Sequence, residues 1–201
     1  MCPGPFGVLF IPRRPTAIFY DSARAQTGQV GSEPDEYNYF YGPKGIYRAG
    51  GAQDGTPFFA TERTYQEIVD HEALVILRYL LRGEMYPLMF HQANLFLYDG
   101  EHTLLTHLMD SVAREWAKWS VLPVISVEQS QLGRMLSDRK AYWTAGVEAT
   151  LYPGSRIEVQ SREPASVPLT GTKKEPCESY GPFSISQIAA GPESVTVVSL
   201  Q

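Results

Sequence analysis

The chain has 201 residues, 43% of them hydrophobic, enough for one large or two small domains with a real core. A formal charge of −5 argues against a phosphate-binding surface, and the pairs Arg13-Arg14, Arg139-Lys140 and Lys173-Lys174 are too short to make one. The stretch Ala73 to Leu81 is broken by Arg78 and followed by Arg82, so no apolar run is long enough to span a bilayer.

The first residues, Met1-Cys-Pro-Gly-Pro-Phe6, lack the charged-then-apolar layout of a secretory signal, which reads as an intracellular protein or an incomplete precursor. Two cysteines, Cys2 and Cys177, lie near opposite ends; one disulfide is conceivable, but they make no framework and do not define a compartment.

Residues 7–12 read as a short buried strand that runs into Arg13-Arg14-Pro15. Residues 21–59 are rich in Gly, Tyr, Asp, Asn and Ser with weak periodicity, and read as a long ordered loop with an aromatic cluster of Tyr37, Tyr39, Phe40, Tyr41 and Tyr47. Those rings pack on a sugar or simply on the protein. Thr64-Tyr-Gln-Glu67 is a capping box opening a helix that carries Ile68, Ala73, Ile76 and Leu80 inward and ends at Arg82-Gly83. Pro87 to Phe90 is the next buried strand, and it ends in His91.

A second helix starts at Asp99 or Thr103, with Leu105, Leu108, Met109, Val112, Trp116 and Trp119 as its apolar stripe. Residues 121–125 read as another strand. Ser126-Val-Glu-Gln129 reads as a second capping box, opening a helix with Leu132, Met135 and Leu136 inward. From about Ala141 the period changes from about 3.6 to about 2, around a turn at Pro153-Gly154. The organisation predicted is therefore an α/β unit over residues 1–140, with a parallel sheet and crossover helices, and an antiparallel β module over 141–201.

Chemistry in such folds gathers at the C-terminal ends of the strands, which makes His91 a candidate acid or base. A core histidine bonded to a neighbour is the other reading. Arg13 and Arg14 follow the first strand, where a guanidinium either orients a carboxylate or sits in a structural ion pair. His102 and His107 are five positions apart, which on one helix separates them by about 140°, so they are not expected to share a metal. His71 reads as a surface residue. Gly50-Gly51 is a turn without phosphate-loop spacing, no Gly-x-Ser-x-Gly elbow is present, and Cys177 is far from a helix start.

Ile11-Pro-Arg-Arg-Pro-Thr16, Glu36-Tyr-Asn-Tyr-Phe-Tyr-Gly42, Thr64-Tyr-Gln-Glu-Ile68, Met89-Phe-His-Gln-Ala-Asn-Leu95 and Tyr98-Asp-Gly-x-His102 resemble the fungal galactosaminogalactan deacetylase family, within the polysaccharide deacetylase superfamily. The likeness runs over most of residues 7–140, and the tail with Glu178-Ser-Tyr-Gly181 resembles the β domain that follows the barrel in that family. The resemblance implies an incomplete (β/α) barrel followed by an antiparallel β domain. It also implies zinc-dependent removal of N-acetyl groups from an amino-sugar polysaccharide, in an extracellular or cell-wall setting. On it, His91 matches the proton-donating histidine and Arg14 the orienting arginine, with Asn94, Tyr37 and Tyr41 as substrate contacts. The family's early aspartates and zinc-binding histidines have no counterpart here, so no metal ligand is assigned and the chain reads as the C-terminal part of such an enzyme, with the earlier barrel portion missing. Phe96-Leu97 interrupts the pattern where a polar residue is expected. A non-catalytic carbohydrate-binding protein and a degenerate fragment are the competing readings.

Overall fold

The computed structural model describes residues 9–49, 55–192 and 194–200. Pro12–Ser120 forms one compact unit, and Val121–Gln201, with the residues ahead of Pro12, forms another.

In the Pro12–Ser120 unit, β1 (Arg14–Pro15) pairs in parallel with β2 (Leu88–Met89), Arg14 opposite Leu88 and Pro15 opposite Met89. Three helices surround this short pair. Helix α1 (Glu33–Tyr41) falls inside the stretch expected to be loop. Ser32 caps it by accepting the Asp35 N–H, Pro34 pre-sets the first turn, and Asp35 and Glu36 favour the positive end of the helix dipole. Its apolar stripe is weak because the helix is rich in Tyr, Asn, Asp and Glu, which is why periodicity missed it. Gly42 ends it, since a Cβ there would stand 2.5 Å from the Asn38 carbonyl oxygen.

Helix α2 (Tyr65–Leu81) opens on the expected capping box: the Thr64 hydroxyl accepts from Glu67 N–H, and the Glu67 carboxylate accepts the Thr64 N–H at 2.8 Å. Helix α3 (Leu104–Ala117) is capped by Thr103, with Thr106 returning the bond, so Thr103 and not Asp99 is its start. Ile18, Val69, Ala73, Ile76, Leu104, Leu108 and Val112 form the core, with Leu88 and Phe90 from the β2 segment packed against it. The stripe predicted for α3 is shifted at both ends. Leu104 is buried where Leu105 was expected, and Trp119 lies beyond the helix, 70% exposed.

In the second unit, α4 (Gln129–Thr144) is preceded by Glu128, whose side chain makes no cap bond, so the expected Ser126 capping box is absent. Residues 121–125 form no strand; Val121 and Val124 are solvent-exposed, and the Tyr180 hydroxyl donates to the Pro123 carbonyl at 2.6 Å. Antiparallel strands follow: β3 (Glu148–Tyr152), β4 (Arg156–Gln160) and β8 (Thr196–Ser199) make one sheet, and β5 (Ala165–Thr170), β7 (Phe183–Ala190) and β6 (Cys177–Tyr180) another. The Pro153-Gly154 turn joins β3 to β4, with Gly154 at φ +69°. Val159, Val167, Ile188, Ala190 and Val198 are its core.

Contacts place the division at Ser120 and not near residue 140. Helix α4 packs on β5, and its Gly133 leaves room for Leu9 and Ile11, where a Cβ would approach the Leu9 side chain at 3.2 Å. Tyr142 of this helix packs against the core of the β module. The parallel part that a barrel would need is, among the described residues, the two-residue pair β1–β2. Residues 7 and 8 of the expected first strand, Gly50-Gly51 and Cys2 lie outside the described residues; Cys177 is a free thiol. Among the described residues no helix is long and apolar enough to cross a membrane.

Candidate functional site

Two turns lie beyond the C-terminal ends of the parallel pair. Residues 19–22 follow β1, and a short 3-10 helix, Gln92–Leu95, follows β2. Asn94 joins them. It is fully buried, donates to the carbonyls of Phe19 (2.7 Å) and Ser22 (2.9 Å), and accepts the His91 N–H at 2.8 Å. Expected as a substrate contact, Asn94 is instead enclosed and bonded to three backbone groups, so here its amide positions the turn that carries His91.

His91 is solvent-exposed, as its place at the end of β2 suggested, and the Tyr20 ring stands edge-on to it with centroids 5.9 Å apart. Tyr20 itself is 66% exposed. An accessible imidazole beside an accessible aromatic face is the arrangement that could receive a substrate and deliver a proton to it.

Arg14 does not share that mouth. Its guanidinium is bound by Glu84 and lies over the rings of Tyr79 and Tyr86, centroids 5.1 and 5.8 Å away. All three residues precede β2, at the N-terminal end of the pair. Glu84 raises the arginine's already high pKa, first through the hydrogen bond. The geometry is that of a structural ion pair holding the approach to β2, one of the two readings open for this residue.

Tyr37 and Tyr41 belong to an aromatic network and do not line the His91 turn. Tyr37 is 2% exposed; its hydroxyl donates to Glu72 at 3.3 Å, and burial with that carboxylate raises its pKa. Tyr41 is half-buried among Tyr37, Tyr47, Phe58 and Phe19. Tyr20, Tyr39, Tyr47 and Phe58 are solvent-exposed. Phe96 and Leu97, also exposed, flank the His91 turn, with the Arg24 guanidinium over Phe96 at 5.0 Å.

Beneath the turn sits Glu33, which sequence reasoning did not single out. It is fully buried, and one carboxyl oxygen accepts the Phe19 N–H at 3.1 Å. The other, Oε1, and the Ser22 hydroxyl are both enclosed without a well-aligned bond, though Ser22 is near enough to ease the shift. Burial pushes the Glu33 pKa up to about 8, so near neutral pH the folded state holds this carboxyl protonated. The folded protein then binds a proton that the unfolded chain has released, so this group's stabilising contribution is full at acid pH, below about 4.5. It declines toward pH 8 with a slope of up to about 1.4 kcal/mol per pH unit. Glu33→Gln, which cannot ionise, is expected to raise the melting temperature at pH 8 and to leave it little changed at pH 4. An equal shift at both values would remove the ionisation argument.

His102 and His107 require a correction. His102 precedes the helix, so helical spacing does not separate them, and their rings lie 5.5 Å apart. Asp99 accepts the backbone N–H groups of Glu101 and His102 and contacts His102 Nδ1 at 2.9 Å, while the Tyr98 hydroxyl meets His107 Nδ1 at 2.8 Å. The backbone donors hold the Asp99 pKa down at about 2. The Asp99 hydrogen bond raises the pKa of His102, and burial lowers that of His107. Histidine resonances followed by NMR across pH 5 to 8 are expected to titrate on opposite sides of the ordinary value near 6.5. Coincident midpoints would show that the two rings are not held this way. His71, half-buried, stands edge-on to Phe59 at 5.4 Å, and burial lowers its pKa.

The two imidazoles do not complete a metal site: among the described residues no group of three His, Cys, Asp or Glu side chains could hold an ion. The described residues therefore do not fit the zinc set that the family resemblance implied.

No family model matches the chain, and no curated protein matches it significantly. Among solved structures it is similar to the crystal structure of Agd3, a novel carbohydrate deacetylase, with a TM-score of 0.67 and 15% identity. The match covers 95% of this chain and 29% of the other, so the chain spans less than a third of that protein's length. At this identity the likeness is one of fold: the chain has the fold of a segment of a carbohydrate deacetylase.

Proposed function

We propose that this chain is the C-terminal part of a polysaccharide de-N-acetylase, acting on an N-acetylated amino-sugar polymer of the galactosaminogalactan kind. The observation that carries this reading is His91, an exposed histidine at the C-terminal end of β2 in a fold shared with a carbohydrate deacetylase. Amide hydrolysis requires water to add to the carbonyl and a proton to reach the nitrogen before it departs, because an amide anion is a poor leaving group. His91 supplies that proton. Tyr20 offers its open face to the sugar ring, and Asn94 and Glu33 keep the His91 turn in register from beneath. Since the residues here do not fit a zinc set, no step in this account passes through a metal, and activation of the water is assigned to no side chain of this chain.

The test is acetate release from N-acetylated galactosamine oligomers by the longest in-frame protein that contains this chain, assayed with added zinc. Absence of release under those conditions overturns the hydrolase reading. A second reading, a non-catalytic carbohydrate-binding protein, draws on the exposed rings of Tyr20, Tyr39, Tyr47 and Phe58; it is favoured if the protein binds the oligomers without releasing acetate.

A further inference from the structure

The strongest unassigned feature of the Pro12–Ser120 unit is a polar groove of about 530 Å³ between α1 and the segment leading into α2. Its walls are fixed by local bonding. The Asn38 side chain bridges to Arg63, donating to its carbonyl at 2.8 Å and accepting its N–H at 2.7 Å. Asp35 holds the Gly28 N–H at 2.6 Å, and the Thr64 capping box anchors the far side. Arg63 lies over Phe59 at 4.5 Å and pairs with Glu67.

What those bonds leave free is the chemistry of the groove. Tyr39 is 63% exposed, and its hydroxyl has no partner among the described residues. Lys44 and Glu62 also line the groove, and neither has a partner among the described residues, although they carry opposite charges. An open aromatic face, a free carboxylate and a free ammonium together suit a ligand with one apolar face and a rim of hydroxyl and amino groups. A pyranose ring has that form. Mixed charge argues against a phosphate polymer, which would need a basic surface, and the polar lining argues against a lipid tail.

A run of packed rings leads from the groove toward the His91 turn. Tyr39 meets Phe40 edge-on at 5.2 Å, Phe40 stacks on Phe19 at 4.8 Å, and Phe19 is followed by Tyr20, the ring beside His91. An exposed ring stands at each end, Tyr39 at the groove and Tyr20 beside His91, which suits a polymer with several sugar units. We infer that the groove is a remote subsite for a hexosamine unit of the same polymer, with Tyr39 under the ring and Glu62 receiving a free amino group. This inference rests on the de-N-acetylase reading for the identity of the polymer. It adds that the groove selects a chain already deacetylated at a unit away from the one being processed.

Isothermal titration of the full chain with a fully deacetylated galactosamine hexasaccharide, its fully N-acetylated counterpart and the galactosamine monosaccharide tests this. The deacetylated hexamer should bind more tightly than either of the others. Tyr39→Ala should weaken that binding about two- to tenfold, the loss expected when a stacking face is removed. Glu62→Gln should abolish the preference for the deacetylated over the acetylated hexamer while leaving the acetylated one unaffected. Both side chains are exposed, so the melting temperatures should match the parent and a loss of binding would not reflect unfolding. The inference is overturned if the parent chain does not bind the deacetylated hexamer, if Tyr39→Ala binds it as tightly as the parent, or if Glu62→Gln keeps the preference. Hexamer binding without acetate release, by contrast, overturns the hydrolase reading alone.

Discussion

His91→Ala is expected to lower acetate release by about 10²- to 10⁴-fold, the usual contribution of a positioned acid or base. The loss should fall on kcat and leave KM nearly unchanged, because the imidazole acts on the nitrogen only as the bond breaks and adds little to ground-state binding. The variant should fold normally, since His91 is exposed and its backbone N–H, which the Asn94 amide accepts, survives the substitution. A substrate whose leaving nitrogen is already activated, such as an N-acetyl anilide, needs less protonation and should recover much of the lost rate. Acetate release at the parental rate would remove His91 from the mechanism. A rise in KM with kcat intact would reassign it to substrate binding.

The second large effect concerns Asn94. Asn94→Ala is expected to destabilise the protein by about 2 to 4 kcal/mol, because it leaves the Phe19 and Ser22 carbonyls and the His91 N–H without partners in a buried setting. In a unit of this size that corresponds to a fall in melting temperature of about 10 °C or more. Asn94→Asp keeps an acceptor for His91 but offers no donor to the two carbonyls, and it buries a charge beside them. It should therefore be no better than alanine near neutral pH. Both variants should also reduce acetate release, since the turn that aims His91 is the one that loosens. A change in melting temperature below about 2 °C would mean that the three bonds contribute little.

These two residues also show how far the sequence could be read. The place of His91 after β2 was legible because a short apolar run that ends in a polar side chain is a purely local pattern, although the strand itself is only two half-buried residues. The α2 capping box was legible for the same reason: Thr64 and Glu67 satisfy each other three residues apart. The role of Asn94 was not legible. Its partners Phe19 and Ser22 lie more than seventy positions away, and nothing in the order of residues says which carbonyls a buried amide will meet. Helix α1 did leave a signal, Ser32 with Pro34 and an acidic first turn, but its aromatic and polar composition hid any apolar stripe.

Local spacing thus determined by itself the helix start at Thr64, a β2 strand leading to His91, and the antiparallel character of the C-terminal third, and it narrowed the start of α3 to Asp99 or Thr103. Each depends on bonds or periodicities that close within a few residues. Only the tertiary structure decided that Arg14 belongs to Glu84, that Tyr37 points inward to Glu72, and that His102 and His107 stand side by side. It likewise decided that Glu33 is buried where its proton is retained. Those outcomes depend on which distant groups share a desolvated space, and desolvation is a property of the packed chain rather than of any segment.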